Sequence, residues 1–290
     1  MILIKLEHLF ISTFTKITFP SIIVSEYMIL HRLRWSSIAK IIAVTNQKGG
    51  VGKTTTTLAL SEGLMKKGYK VLAVDLDPQA NLSFSLGGDT DDAPTVYELL
   101  NGEVKPRFVV QRTAHVDLIA SNILLSGVEL EHVHEGREFL LKDALKVLES
   151  KYDYIIIDTP PALSILTVNA FAAAEYLVIP MLADIFSLQG IAQLSDTISR
   201  VKQTCNKDLQ VGGILLSRYN DRTVLGRRIK ETAEMVAGQM GTKVYKTTIR
   251  ASIAIQEAQT NQSNIYSYAP RSAGVRDYLD FVTELLKEGV

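Results

Sequence analysis

The densest chemistry in the chain is Lys48-Gly49-Gly50-Val51-Gly52-Lys53-Thr54. A phosphate group needs backbone N–H donors converging on it, and glycines let a chain curl closely enough to supply them. A helix that begins just after such a loop adds the positive end of its dipole. In that setting Lys53 is expected to reach the β- and γ-phosphates of a nucleotide, and the Thr54 hydroxyl to ligate Mg2+. The ordinary pattern G-x-x-x-x-G-K-[ST] is not met, because Gln47 stands at its first position; a lysine sits directly ahead of two glycines instead. Three carboxylates complete the set. Asp158 closes the run Tyr154-Ile155-Ile156-Ile157, where a carboxylate at a strand end can hold Mg2+ directly or through water. Asp75 and Asp77 lie in Asp75-Leu76-Asp77-Pro78-Gln79, and their i, i+2 spacing puts both on one side of an extended chain. One can support the metal while the other orients or deprotonates the attacking water.

These groups converge only if buried strands deliver them to one edge of a sheet. Ile41–Thr45, Val71–Asp75, Val116–Ala120 and Tyr154–Asp158 are short apolar runs, and Tyr176–Pro180, Val211–Ser217 and Val244–Ile249 read as further strands. Helical spacing covers Thr54–Lys67, most of Leu124–Ser150 with a possible break at Gly136, Ser187–Thr204, Val224–Gly238 and Ser272–Lys287. Continuous β-branched runs imply strands buried on both faces, hence a mostly parallel twisted sheet with helices on both faces. Ligands of such sheets bind at the carboxyl ends of the strands, where the three aspartates fall. No linker divides residues 39–290, so one α/β domain is expected there.

The 290 residues carry 31 basic and 31 acidic side chains, and that zero net charge taken alone argues against a nucleic-acid binder. The charge is uneven, however. Asp75 to Pro160 holds 16 acidic and 7 basic residues, and Arg200 to Arg250 holds 11 basic and 4 acidic. A neutral total can therefore hide a cationic face. Cys205 is the one cysteine, which excludes an intramolecular disulfide and leaves a reducing compartment as the default. Residues 1–38 lack glycine and hold the single tryptophan, Trp35; Lys5, Glu7, Lys16, Pro20 and Glu26 interrupt any membrane span. This extension is expected to be disordered or to reflect an upstream start codon, with the domain proper at 39–290.

The glycine loop resembles the deviant Walker A motif of the ParA/MinD group of P-loop ATPases. Asp75–Gln79 is similar to that group's second signature, and Asp158-Thr159-Pro160-Pro161 to its Walker B. Ser121–Leu125, Pro180 through Gly190, and Gly213–Tyr219 with Arg222-Thr223 look most like the ParA/Soj branch, which partitions chromosomes and plasmids. The resemblance implies a single P-loop NTPase domain with strand order 3-2-4-1 followed by the later strands, and a Mg-dependent ATPase that forms a sandwich homodimer around ATP. It implies that Lys48 crosses the interface to the partner's phosphates, that Gly49 lies where the two loops pack, and that Gly50, Val51, Gly52, Lys53, Thr54 and Thr55 surround the phosphates. Asp77 is then similar to the water-activating residue, while Thr54, Asp75 and Asp158 support magnesium. Non-specific double-stranded DNA and a ParB-like centromere-binding protein are the implied partners, with a cytoplasmic, nucleoid-associated location and no stable membrane association. Arg218, Arg222, Arg227, Arg228, Lys230, Lys246 and Arg250 are the candidate DNA contacts, binding phosphates without reading sequence. Ile249-Arg250-Ala251-Ser252-Ile253-Ala254 departs from the family's Ile-Pro-Arg-Asn-Val-Arg, so Arg250 replaces a proline near the adenine.

Other features invite chemistry less. Glu131-His132-Val133-His134-Glu135 suggests a metal site, but positions i and i+2 of a helix do not face one way, so a surface helix is expected. Cys205 has no basic partner to activate it. Tyr266, Tyr268 and Tyr278 read as packing residues. A MinD-like membrane-cycling regulator of division is the alternative function, yet such a protein needs a basic amphipathic C-terminal helix, and Asp277–Glu288 is acidic. An iron-protein or cluster-carrier relative would need more cysteines than Cys205.

Overall fold

Residues 38–290 are described by the structure, a computed structural model; the expectations placed on residues 1–37 lie outside the described residues. Strands β1 (Lys40–Val44), β2 (Val71–Asp75), β3 (Val110–Arg112), β4 (Asp117–Ile119), β5 (Tyr154–Asp158), β6 (Tyr176–Leu182) and β7 (Gln210–Ser217) form one sheet in the order β3-β4-β2-β5-β1-β6-β7. All pairings are parallel except that of β3 with β4 at one edge. The implied order is therefore present, with β3 added as a short antiparallel edge.

Alternate residues of the central strands feed two cores. Ile41, Ala43, Leu72, Val74, Ile155 and Ile157 face one side, where helices α5 (Ile165–Ala173), α6 (Ile185–Thr204) and α7 (Val224–Gln239) cover them. Ile42, Val44, Ala73 and Ile156 face the other side, beneath α1 (Lys53–Lys66) and α9 (Ala273–Lys287). Four more helices complete the set used below: α2 (Asn81–Ser85), α3 (Val96–Leu100), α4 (Val128–Glu131) and α8 (Ile253–Thr260). α1 lies close to α9: a Cβ at Gly63 would sit 2.7 Å from both Val282 Cγ2 and Tyr266 Oη, so only glycine admits the contact. No helix among the described residues is long and apolar enough to cross a membrane.

Two elements differ from the sequence reading. Val244–Ile249 is not a strand; it meets β7 only at the isolated bridges Ile214–Val244 and Ser217–Ile249. The reason is a side chain of α9, since the Lys246 and Thr247 N–H groups donate to the Glu284 carboxylate instead of to the sheet. The stretch Leu124–Ser150 is broken into short turns of helix, and Gly136 is indeed a break, at φ +89°. The surface helix expected through Glu131–Glu135 ends at Glu131, because His132 takes an extended conformation (φ −104°, ψ 94°).

One buried carboxyl group makes stability depend on pH. Glu62 of α1 is fully buried, accepts the Ile265 N–H at 2.9 Å, and faces His115 Nδ1 at 3.6 Å. Burial pushes its pKa up to about 8, partly opposed by the Ile265 hydrogen bond. The folded state therefore holds this proton more tightly than the unfolded chain, and stability falls as pH rises between the ordinary value, 4.5, and about 8. The slope tends toward ~1.4 kcal/mol per pH unit for one such group. Glu62→Gln keeps the shape of the protonated acid, so urea unfolding across that window is expected to lose this slope.

Candidate nucleotide site

The loop after β1 is pinned at its entrance and exit. Asn46 Nδ2 donates to Pro180 O at 2.8 Å while its Oδ1 accepts the Lys48 N–H at 3.0 Å. Ser217 Oγ, at the end of β7, donates to Val51 O at 2.6 Å. Between these anchors Gly50 (φ +73°) and Gly52 (φ +95°) take left-handed backbone that only glycine adopts without strain. A Cβ at Gly49 or Gly50 would meet nothing within 4 Å, so the cradle opens outward. Gly52 is the N-cap of α1, and no side chain caps that helix. Its first-turn N–H groups and dipole thus face the mouth of the loop, the arrangement that binds a phosphate.

Lys53 is 7% exposed and its Nζ donates to Lys48 O at 3.2 Å. Burial lowers its pKa, while the carboxylates of Asp158 and Asp77 work in the opposite sense. Thr54 Oγ1 donates to Asp158 Oδ2 at 2.6 Å, and Thr57 Oγ1 lies 3.2 Å from Asp158 Oδ1. Asp158 is fully buried; desolvation and then the neighbouring charge of Asp75, its partner across β2 and β5, push it up to about 8. A hydroxyl and a carboxylate beside an anion cradle form the oxygen donor set that Mg2+ prefers when phosphates supply further ligands. Thr55 Oγ1 instead points to Gln259 Oε1 of α8, at 3.4 Å.

Asp75, expected to support the metal, accepts hydrogen bonds on both oxygens. Its Oδ1 accepts the Asp77 N–H (3.0 Å), and its Oδ2 accepts both the N–H and the hydroxyl of Ser83 (2.9 and 2.8 Å). Ser83 Oγ in turn accepts the Ser121 N–H at 2.9 Å. With its oxygens so committed, and with burial holding its pKa up near 6, Asp75 braces the turn that carries Asp77. Asp77 is 8% exposed, and its Oδ1 accepts the Gln79 N–H at 3.0 Å.

Lys48 is turned back on its own chain. Its Nζ lies 2.8 Å from each oxygen of Asp184 and 3.4 Å from Ser187 Oγ. Asp184 is the N-cap of α6, accepting the Ser187 N–H at 2.8 Å. Burial would raise its pKa, but the bonds from Lys48 and Ser187 outweigh that and lower it. Sequence reasoning missed Asp184, Ser83 and Thr57. Asp184 alone left a signal, an Asp followed three residues later by Ser at the start of a helix.

Beside the loop, Val51, Gly52, Ser217, Arg218, Ile249 and Arg250 border a cleft closed by α8 and α9. The seven candidate cationic residues divide into two groups. Arg222, Arg227, Arg228 and Lys230 cluster on and just before the first turns of α7, with Arg218 at the end of β7. Arg250 is held by Asp277 through Nε and a terminal nitrogen (2.8 and 2.6 Å), which raises its pKa, and Lys246 shares its surroundings with Asp280, Glu284 and Glu288. Those two face carboxylates, which disfavour an approaching phosphate.

Known proteins resemble this chain over most of its length. A family model described as an AAA domain matches residues 39–211. The sporulation initiation inhibitor protein Soj of Bacillus subtilis is 40% identical over 256 residues, covering 87% of this chain and 100% of Soj. The chromosome partitioning protein ParA of Myxococcus xanthus is 37% identical over 257 residues, 87% of this chain and 90% of that protein. Among solved structures, a cobyrinic acid a,c-diamide synthase of Mycobacterium smegmatis with bound ATP analogue and magnesium superposes with a TM-score of 0.76 at 36% identity, covering 87% and 96% of the two chains.

Proposed function

Since the chain belongs to the ParA/Soj/MinD family of P-loop ATPases, we propose that it is the ATP-driven motor of a DNA-partitioning system. Its activity is Mg-dependent ATP hydrolysis, with ATP and Mg2+ as cofactors. The finer reading is a cycle: two ATP-bound chains close face to face, the dimer holds DNA without regard to sequence, and a ParB-like partner triggers hydrolysis and release.

The observation that carries this reading is Lys48, a lysine placed at the mouth of the phosphate cradle but bound to Asp184 rather than to its own loop's phosphate face. We infer that on closure this cation exchanges Asp184 for a second chain's nucleotide, where it stabilises charge in the transition state as an arginine finger does. Lys53 and the α1 N-terminus bind and orient the phosphates. Thr54 and Asp158 would hold Mg2+, which when bound neutralises phosphate charge and polarises the transferred group. Asp77, on the turn braced by Asp75 and Ser83, orients the attacking water and takes its proton.

The membrane alternative loses support at the C-terminus. Val275, Tyr278, Phe281, Val282 and Leu285 of α9 are buried in the core beneath α1, so this helix has no apolar face to offer a bilayer. The DNA face is proposed to be Arg218, Arg222, Arg227, Arg228 and Lys230. DNA retention measured over a salt series with ATP, ADP or no nucleotide tests the reading. ATP-dependent, sequence-indifferent binding with a log–log salt slope of ~−4.5 per engaged set of five cations is expected. Equal retention without nucleotide, or binding to anionic vesicles in place of DNA, overturns it.

A further inference from the structure

The loop after α4 brings two imidazoles together. Because His132 leaves the helix in an extended conformation, positions i and i+2 fall on one side, and His132 Nδ1 lies 3.2 Å from His134 Nε2. The outer nitrogens of both rings have partners. His132 Nε2 is 2.6 Å from Asn101 Oδ1, and His134 Nδ1 is 3.1 Å from the Glu135 carbonyl. A carbonyl only accepts, so His134 Nδ1 carries a hydrogen. The Asn101 amide is fixed by its other end, since Nδ2 donates to Glu131 Oε2 at 3.2 Å and a carboxylate also only accepts. Its Oδ1 therefore faces His132, and His132 Nε2 carries a hydrogen as well.

The consequence lies between the rings. Two neutral imidazoles so oriented present two lone pairs to each other at 3.2 Å, an arrangement that repels unless a cation bridges it. We propose that the His132–His134 pair is a binding site for an imidazole-preferring divalent transition-metal cation of the Zn2+ class, separate from the Mg2+ of the nucleotide site. Outer N–H groups held by an amide and a carbonyl, with a carboxylate behind the amide, are the supports that orient metal-ligating histidines. Tyr97 Oη also donates to Glu131, and Arg137 donates to the His132 carbonyl at 2.8 Å, so both ends of the loop are fixed. Glu131, Glu135 and Glu138 are near neighbours in the sequence, with Arg137 the one basic residue among them. No group of three or more His, Cys, Asp or Glu side chains among the described residues is arranged around a metal. The pair therefore supplies two ligands and solvent the rest, and Mg2+, which prefers oxygen donors, does not compete.

Zinc uptake by the full chain, stripped with chelator and kept in excess Mg2+, tests the site. By equilibrium dialysis against ZnCl2, the wild type is expected to bind about one equivalent that the double variant His132→Ala, His134→Ala lacks. Asn101→Ala should weaken that equivalent by about tenfold. In the wild type alone, the histidine ring 15N resonances of His132 Nδ1 and His134 Nε2 are expected to move on adding Zn2+ while the outer nitrogens stay protonated. Equal uptake by wild type and double variant overturns the proposal. So does a spectrum in which His134 is doubly protonated and indifferent to Zn2+, for then the bridging cation is a proton. The ring readout needs no substitution, so poor folding of a variant does not blur the result.

Discussion

Lys48→Ala is expected to lower the ATPase rate at saturating ATP by about 10³-fold or more while leaving nucleotide affinity of the single chain within a few-fold, the range set by losing a finger-type cation. The structure separates the two lysines of the loop. Lys53 is buried, and its Nζ spans the loop to Lys48 O, so its loss should weaken binding itself. Lys48 reaches Asp184 instead, with side chains 31% and 33% exposed. A pair that open is worth about 0.2–1 kcal/mol, so polyphosphate charge can draw Lys48 away from it. Asp184→Ala is the companion variant, because it removes the competing carboxylate without touching the cradle, and dimer formation at limiting ATP should rise or hold. Turnover and fluorescent-nucleotide binding, measured side by side, decide the matter. If Lys48→Ala loses affinity in step with rate, the lysine serves its own chain's nucleotide and the proposed closure across two chains is wrong.

The sequence pattern made the sheet, the phosphate loop and the ends of β2 and β5 legible because each depends on neighbours in the chain. Runs such as Ile155-Ile156-Ile157 can only be buried, and Lys53-Thr54 after glycines has few other uses. What escaped it depends on distant side chains. What Asp75 binds is set by Ser83, eight residues on in α2, and by the Ser121 N–H behind it. Whether Val244–Ile249 joins the sheet is decided by Glu284 on α9, which takes two of its N–H groups. The histidine pair shows the same limit at shorter range. A helical period excludes a joint role for His132 and His134, and the period fails where α4 stops. The ion pair of Arg250 with Asp277, 27 residues away, is another such long-range contact.

Asp77→Ala is expected to reduce turnover by about 10²–10⁴-fold, the usual contribution of a positioned general base, while ATP binding and ATP-dependent DNA retention persist. The hydrogen bonds that shape the cradle join Lys53 Nζ to Lys48 O and Thr54 Oγ1 to Asp158, and Asp77 acts on Lys53 through its charge, whereas its own turn is held from behind by Asp75. Ser83→Ala distinguishes chemistry from placement. It removes one of two Ser83 bonds to Asp75 and the acceptor for the Ser121 N–H, and leaves the Asp77 carboxylate in place. Its rate should fall less than that of Asp77→Ala, since the group that takes the proton is still present. Trapping in the ATP state follows from the same assignment: a chain that binds but does not hydrolyse stays closed on DNA, and the partner that stimulates the wild type should no longer release it. Release of the Asp77→Ala variant at the wild-type rate would mean that DNA leaves without hydrolysis, and the cycle proposed for this ATPase would have to be driven by nucleotide exchange.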